Sequence, residues 1–326
     1  MRFPFFSIII PTRGRPDKLA FCLTALSQLE YPLGRFEIIV IDDGSEFSNG
    51  STLAPFYGKV NLTYLCQPKA GPAAARNRGA AQARGQYLVF TDDDCAPDPD
   101  WLQRLATCFR QTPRHAIGGR TINALPNNPY STASQLLVSY LYEFFDTHQS
   151  QSRFFTSNNL ALATDLFWSI GGFNPSFPLA AAEDRELCDR WRYCGLKLTY
   201  APQAIVRHAH AMTLHSYCRQ HFNYGSGAYH FHRTRAHRDQ NKFRLESNGF
   251  YLNLLLYPLK QTPFLPGLLL IILLLVAQAA NAAGFGWTWF THLREHTLAK
   301  YGHNPEAAPP AQNATLQARP RFPAKL

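Results

Sequence analysis

Three consecutive carboxylates, Asp92-Asp93-Asp94, directly follow a short apolar segment, Tyr87–Thr91. Where a strand passes into a loop, period-2 geometry lets the first and third side chains point the same way. Two carboxylates ~4 Å apart repel by about 4 kcal/mol at an effective dielectric near 20, so such a cluster calls for a counter-ion. Hard oxygen ligands select Mg2+ or Mn2+, commonly together with phosphate oxygens of a substrate. A second acidic pair, Asp42-Asp43, precedes Gly44-Ser45, and a third, Glu183-Asp184, opens a helical pattern. Each has a plainer reading. Asp92–Asp94 is also a solvated loop with a cap for the helix starting near Pro99, and Asp42–Ser45 is also a turn. Glu183 and Asp184 suit the first turn of any helix. Arg76 on an Ala-rich helix is a surface residue or, near the helix N-terminus, a pyrophosphate ligand. His208 ends a short strand, with His210 as its competitor at period 2.

The elements that must position these groups alternate. Phe5–Ile10, Phe36–Ile41, Val60–Leu65 and Tyr87–Thr91 are short apolar runs, as expected of strands covered on both faces. Between them lie a helix after Pro16, with Leu19, Leu23 and Leu26 at helical spacing, and an Ala-rich helix after Gly71-Pro72. The expected class is α/β: a mostly parallel central sheet with helices on both faces. Thr12, Arg13, Asp42, Asp43 and Asp92–Asp94 then fall just beyond strand ends, where open α/β sheets bind ligands. Neither G-x-G-x-x-G nor G-x-x-x-x-G-K-[ST] occurs, so a dinucleotide fingerprint and a P-loop are excluded. Further helices are expected over Tyr130–Phe145, Ala182–Cys194 and 214–244, with Phe154–Ala163 extended and a strand at Ala204–His208.

The chain has 326 residues, 46% hydrophobic and 17% charged, which supports a large core and excludes wholesale disorder. The mean hydropathy of -0.23 excludes a polytopic membrane protein. The net charge is +10, and residues 201–244 hold seven Lys or Arg against Asp239 alone. That favours anionic partners. The seven cysteines are scattered and never spaced C-x-x-C, so neither a disulfide framework nor a structural zinc site is expected. Residues 264–283 are strongly apolar and about long enough to span a ~30 Å bilayer core. With Tyr251–Leu259 they also read as a membrane-seated hairpin. The expected division is one globular domain over 1–245, with a first half to about 115 and a second half after it. A membrane-associated helical segment over 246–303 and a disordered tail over 304–326 follow.

Together, Ser7–Arg15, Ile41–Ser45, Ala75–Gly79 and Phe90–Asp94 resemble family 2 glycosyltransferases in order and spacing. Gly171-Gly172-Phe173, Glu183-Asp184 and His208 extend the resemblance, which covers roughly residues 4–235. It implies a GT-A-like fold and metal-dependent, inverting transfer of a single sugar from a nucleoside-diphosphate sugar, expected to be a UDP-sugar. Carried over to this chain, Pro11, Thr12 and Arg13 would lie beside the base and ribose, and Asp42 would accept from the base. Arg76 would approach the base or diphosphate, and Asp92 and Asp93 would serve the nucleotide sugar. Asp94 and His208 would hold Mg2+ or Mn2+. Asp184 would be the general base, with Glu183, Arg190 and Trp191 on the acceptor side. Processive members carry Gln-x-x-Arg-Trp, whereas position 187 here is Leu, which favours single addition.

The expected partners are a sugar donor, a glycan or lipid-linked acceptor and a membrane surface at its cytoplasmic face, without nucleic acid. The competing reading is a catalytically silent relative that binds lipid or polysaccharide through its basic 201–244 region. There Phe222, Tyr224, Tyr229 and Phe231 interleave with the cations. A nucleic-acid binder draws on net charge alone.

Overall fold

The computed structural model describes residues 3–47, 49–149, 154–177, 179–239 and 246–301. The first half carries strands β1 (Phe6–Thr12), β2 (Phe36–Asp43), β3 (Leu62–Gln67) and β4 (Tyr87–Phe90). They are joined by α1 (Pro16–Leu26), α2 (Gly50–Leu53) and α3 (Pro72–Gln82). There follow β5 (Cys95–Pro97), α4 (Trp101–Gln111), β6 (Ala116–Asn123), α5 (Pro129–Gln149), β7 (Leu160–Ala163) and α6 (Thr164–Ser169). The remaining elements are α7 (Glu183–Tyr193), β8 (Leu198–His208), α8 (Leu214–Asp239), α9 (Asn248–Gln261) and α10 (Phe264–Tyr301).

Every residue of β1 and β2 is buried, as continuous apolar runs in a sheet covered on both faces must be. Burying Ile8, Ile9 and Ile10 contributes about 1.5–3 kcal/mol each. Helix α1 starts with Pro16 and seats Leu19, Cys22, Leu23 and Leu26 on the sheet. The eight strands run in the order β3-β2-β1-β4-β7-β6-β8-β5. Strands β3, β2, β1 and β4 pair in parallel, and so do β6 and β8. The β4–β7, β6–β7 and β5–β8 pairings are antiparallel. The sheet is thus mixed: its parallel block is the half read from the alternating pattern, and the antiparallel strands close its other side. The strand order reverses between β1 and β4, and that switch point is where a crevice opens beyond the carboxyl ends.

The second half covers the sheet with helices. The apolar stretch expected over 264–283 is part of the longer α10; within Phe264–Glu295 an 18-residue window reaches a mean hydropathy of 2.2 and is 28% buried. Helix α10 packs closely along α8. A Cβ on Gly225 would lie 1.9 Å from the Asn281 carbonyl oxygen, and one on Gly284 would lie 1.9 Å from that of Phe222. Only glycine permits this approach, and it places α10 against the sheet-bearing unit along much of its length. The tail expected over 304–326 lies outside the described residues.

Candidate active site

The β1 end brings Pro11, Thr12 and Arg13 to the rim of a cavity of about 1750 Å3, and the β4 end brings Asp92 and Asp94 to the same space. Beneath them Asp93 is fully buried. Its carboxylate accepts from Thr12 Oγ1 (2.7 Å) and pairs with Arg15 (2.6 Å). Burial still pushes Asp93 up, to about 6, against the pull of Arg15. Asp94 sits one residue before β5, whose antiparallel bridge with β8 sets Cys95 opposite His208. Backbone pairing thus holds the His208 ring 3.2 Å from Asp94 Oδ1, while Lys18 (3.0 Å) and Arg15 (3.4 Å) reach Oδ2. Burial alone would raise Asp94, but the contacts with His208, Arg15 and Lys18 outweigh it and hold this carboxyl far below the usual range.

Helix α7 forms the opposite wall. Its N-cap, Ala182, has φ 70°, the one non-glycine residue with positive φ among those described. A left-handed alanine costs about 1–2 kcal/mol, and here the strain aims the first turn of α7 into the cavity. Asp184 Oδ1 accepts from the Arg185 N–H (2.7 Å) and Oδ2 from the Ser157 N–H (3.2 Å). Both bonds come from backbone, so the carboxylate is oriented without a side-chain cation in direct contact. Burial raises the Asp184 pKa despite them. Glu183 is pushed up to about 7 by burial and by the neighbouring Asp184, with Arg76 opposing. Arg76 joins the two walls: it is buried and pairs with Asp92 (2.8 Å) and with Glu183 (2.9 Å). Its guanidinium also lies 5.5 Å from the Phe173 ring centre.

Most of the expected site residues therefore converge. Pro11, Thr12, Arg13, Arg76, Asp92, Asp94, Glu183, Asp184 and His208 all line one cavity. Asp42 does not. Strand β2 runs two residues further than expected, to Asp43, so the adjacent carboxylates face opposite ways. Asp42 is occupied by the Ser45 N–H, Asn49 and the Tyr64 hydroxyl. Asp43 faces the cavity and accepts from Gln67, Ala70 and Gly71. Arg190 and Trp191 also lie elsewhere. Arg190 is buried beneath α7, paired with Glu186 and donating to the Ile170 and Gly172 carbonyls, where it holds the Gly171-Gly172 turn. Trp191 is in the core and donates to the Lys197 carbonyl. Asp93 stands behind the site and supports it through Thr12 and Arg15. The interleaved aromatics of α8 are likewise turned inward: Phe231 is buried under Arg185, Tyr229 meets Phe285, and Arg238 pairs with Asp189 and Glu186.

Sequence reasoning set Asp43 at a strand end but gave the base contact to Asp42, and it assigned no role to Arg15 and Lys18. The last two carried a signal. Cations at the N-cap and in the first turn of α1 oppose the helix dipole, which makes sense once two buried carboxylates face them.

The donor set fits a hard divalent cation. Asp94 Oδ1 and His208 Nε2 lie 3.2 Å apart, a carboxylate oxygen and an imidazole nitrogen that together would hold a divalent cation. Cys95, whose sulfur lies within 4.8 Å of both, does not belong to that set. Burial drives its thiol pKa well up and keeps it protonated, and sulfur is a soft ligand.

Residues 7–171 match the glycosyl transferase family 2 model. Glycosyltransferase AglE of Haloferax volcanii is 30% identical over 207 residues, 63% of this chain and 67% of that protein. Validoxylamine A glucosyltransferase of Streptomyces hygroscopicus subsp. jinggangensis is 27% identical over 229 residues, 62% of this chain and 54% of that protein. The chain thus spans about half to two thirds of the length of these curated relatives. The fold is that of mannosyltransferase PcManGT from Pyrobaculum calidifontis, solved with GDP-Man and Mn2+. The TM-score is 0.58 at 18% identity, covering 94% of this chain and 82% of that one. S. aureus TarS 1-349 with UDP-GlcNAc matches at a TM-score of 0.51 and 18% identity, covering 89% of this chain and 92% of that one.

Proposed function

The chain belongs to glycosyl transferase family 2, and from that premise we propose that it transfers a single sugar, with inversion, from a nucleoside-diphosphate sugar to an acceptor hydroxyl. One observation carries the reading: the ends of β1, β2 and β4 and the first turn of α7 face a single cavity. That cavity joins a phosphate-and-cation side (Asp92, Asp94, His208) to a half-buried carboxylate on the far wall (Asp184). Asp43 is placed to accept an N–H from the base, and both uracil and guanine present one. The relatives of known structure were solved with UDP-GlcNAc and GDP-Man, so UDP- and GDP-sugars are the first donors to test.

Asp184 takes the proton of the acceptor hydroxyl as that oxygen bonds to the anomeric carbon from the face opposite the leaving diphosphate. The Ser157 and Arg185 N–H groups fix the carboxylate orientation. Arg76, tied to Asp92 and Glu183, keeps the base wall in register with the donor wall. Asp94 and His208 would hold Mg2+ or Mn2+, which supplies positive charge for the departing diphosphate. Helices α9 and α10 seat the enzyme on a membrane, at the cytoplasmic face. Leu252, Leu256, Phe264, Leu265, Leu268 and Ile272 are exposed on them.

Thermal melting with UDP- and GDP-sugars, each with Mn2+, Mg2+ or EDTA, tests this. A donor at 100 times its Kd adds about 2.7 kcal/mol, so a metal-dependent rise in Tm with one nucleotide class is expected. Asp184→Asn should keep that rise and lose transfer by about 10²–10⁴-fold. Folded protein silent to every donor overturns the donor assignment, and undiminished transfer by Asp184→Asn removes Asp184 as base.

A further inference from the structure

We infer that α10 lies along the membrane surface without crossing it, its outer face sunk in lipid and its inner face walling the catalytic cavity. The inference rests on the membrane seat proposed above and gives that seat its geometry. By length and composition alone, α10 is fit to cross a bilayer. Its contacts oppose this. Between Phe264 and Phe285 the only polar side chains on the helix are Gln278 and Asn281, and both line the cavity that Asp92 and Asp184 share. They stand at the middle of the apolar segment Phe264–Glu295. A crossing helix would carry that midpoint, and the cavity wall with it, into the centre of the hydrocarbon.

Helix α8 would share that depth. It runs beside α10 from Tyr217, whose hydroxyl donates to the Leu273 carbonyl, to Tyr229, whose ring meets those of Phe285 and His292. Between these points lie the close approaches at Gly225 and Gly284 and a hydrogen bond from Thr288 to Ser226. Whatever level residues 273–292 take in a bilayer, residues 217–229 therefore take too. That stretch of α8 carries Arg219, Gln220, His221, Asn223 and Tyr224, and Arg219 is exposed. Charged and polar side chains at the bilayer centre are costly. With α10 in the plane of the surface, they stay on the protein and water side.

The outer face has the chemistry of a surface that meets lipid. Leu265, Leu268, Ile272, Leu275, Trp287 and Phe290 are exposed at helical spacing along one side. From 265 to 290 this stripe runs about 38 Å at 1.5 Å per residue. None of the exposed residues from Phe264 to Phe290 is charged, and the indoles of Trp287 and Trp289 are their only hydrogen-bonding side chains. A protein partner, a second copy included, would find little there to fix its register, since protein interfaces carry about one hydrogen bond per 100–200 Å2. A lipid layer requires none. Indoles suit the head-group level, where the ring is buried and the N–H stays wet. Exposed Lys260 and Arg294 bracket the stripe, with Glu295 beside the latter, and the two cations favour an anionic surface.

The test uses the full chain on vesicles of phosphatidylcholine and phosphatidylglycerol. The fluorescent amino acid Anap is placed in turn at Leu268, Leu275, Ala279 and Phe290, then quenched by lipids bearing a nitroxide near the head group or near the bilayer centre. All four positions should be quenched more by the shallow nitroxide, at depths within about 5 Å of one another. At Gln278, on the inner face, the same reporter should escape both. A crossing helix would instead put Ala279 deepest, with Leu268 and Phe290, about 33 Å apart, near opposite surfaces. That profile overturns the inference, and so does vesicle-bound protein quenched at none of the four positions, or at Gln278 as strongly as at Ala279. Leu268→Asp with Leu275→Asp should lower vesicle partitioning about tenfold or more. It should leave the nucleotide-sugar melting shift in place, which also reports that the variant folds. Unchanged partitioning in that variant overturns α10 as the docking face. Wild-type protein that binds its donor but no vesicle counts instead against the membrane seat itself.

Discussion

The two walls of the cavity are built on opposite principles. On the strand side, each buried carboxylate is held by several partners: Asp93 by Thr12 and Arg15, Asp94 by Arg15, Lys18 and His208, Asp43 by Gln67 and two backbone N–H groups. On the helix side, Asp184 has two backbone N–H groups and a strained Ala182 before it. The first wall is prearranged for a charged ligand that neutralises it. The second keeps one carboxylate basic, because burial raises it by more than its two backbone N–H bonds and the charge of Arg76 lower it. Arg76 is where the two designs meet.

Breaking that junction should have the largest effect. Arg76→Met leaves Asp92 and Glu183 without their buried partner and is expected to cost about 3–5 kcal/mol, measured as a lower urea midpoint at unchanged m. An unaltered midpoint would mean that the walls stand independently. Next, the two β2 carboxylates can be set against each other. Asp43→Asn should weaken donor binding about ten- to a hundredfold by calorimetry, as expected for a charge-assisted hydrogen bond. Asp42→Asn, facing Asn49 and Tyr64, should change it by less than about threefold. The reverse ranking would return the base contact to Asp42.

The smallest effect expected is in the pH profile. Transfer needs Asp184 ionised, so kcat/KM should rise with pH along a limb set by Asp184 and its neighbour Glu183, which face Arg76, Asp92 and Tyr224. Glu183 stands near 7, above its ordinary 4.5. Glu183→Gln removes the repulsion that Asp184 feels and should move the limb to lower pH. Linkage has a definite sign as well. Between about 4.5 and 7 the folded state binds the Glu183 proton and the unfolded chain does not, so this group's contribution to stability falls as pH rises through that window. A limb that stays in place in Glu183→Gln would separate the two carboxylates electrostatically.

Much of the donor wall was legible beforehand because it is local. Buried parallel strands read as continuous apolar runs, and the residues that follow them must lie at the carboxyl edge. The acid pair at the α7 start was legible for the same reason. The choice between Asp42 and Asp43 was not. It depends on where β2 ends, and a strand continuing by two residues assigns neighbours to opposite faces. Arg190-Trp191 misled because a motif position says nothing of which side of a helix meets the core; here Glu186 and the Gly171-Gly172 turn claim the arginine.

By itself the sequence determined the alternation of strands and helices, the acidic strand ends, the family and an apolar C-terminal helix, since each is written in neighbouring residues or short spacings. Only the tertiary structure decided that Lys18 and Arg15 neutralise Asp94 and that Arg76 bridges Asp92 to Glu183, 91 positions apart along the chain. It alone decided, too, that α10 lies along α8 through Gly225 and Gly284 and that α5 and α9 pack on each other through Tyr140, Phe145, Phe250 and Leu254. These are contacts between distant segments, and their energies depend on distance and burial, which folding sets and local composition does not.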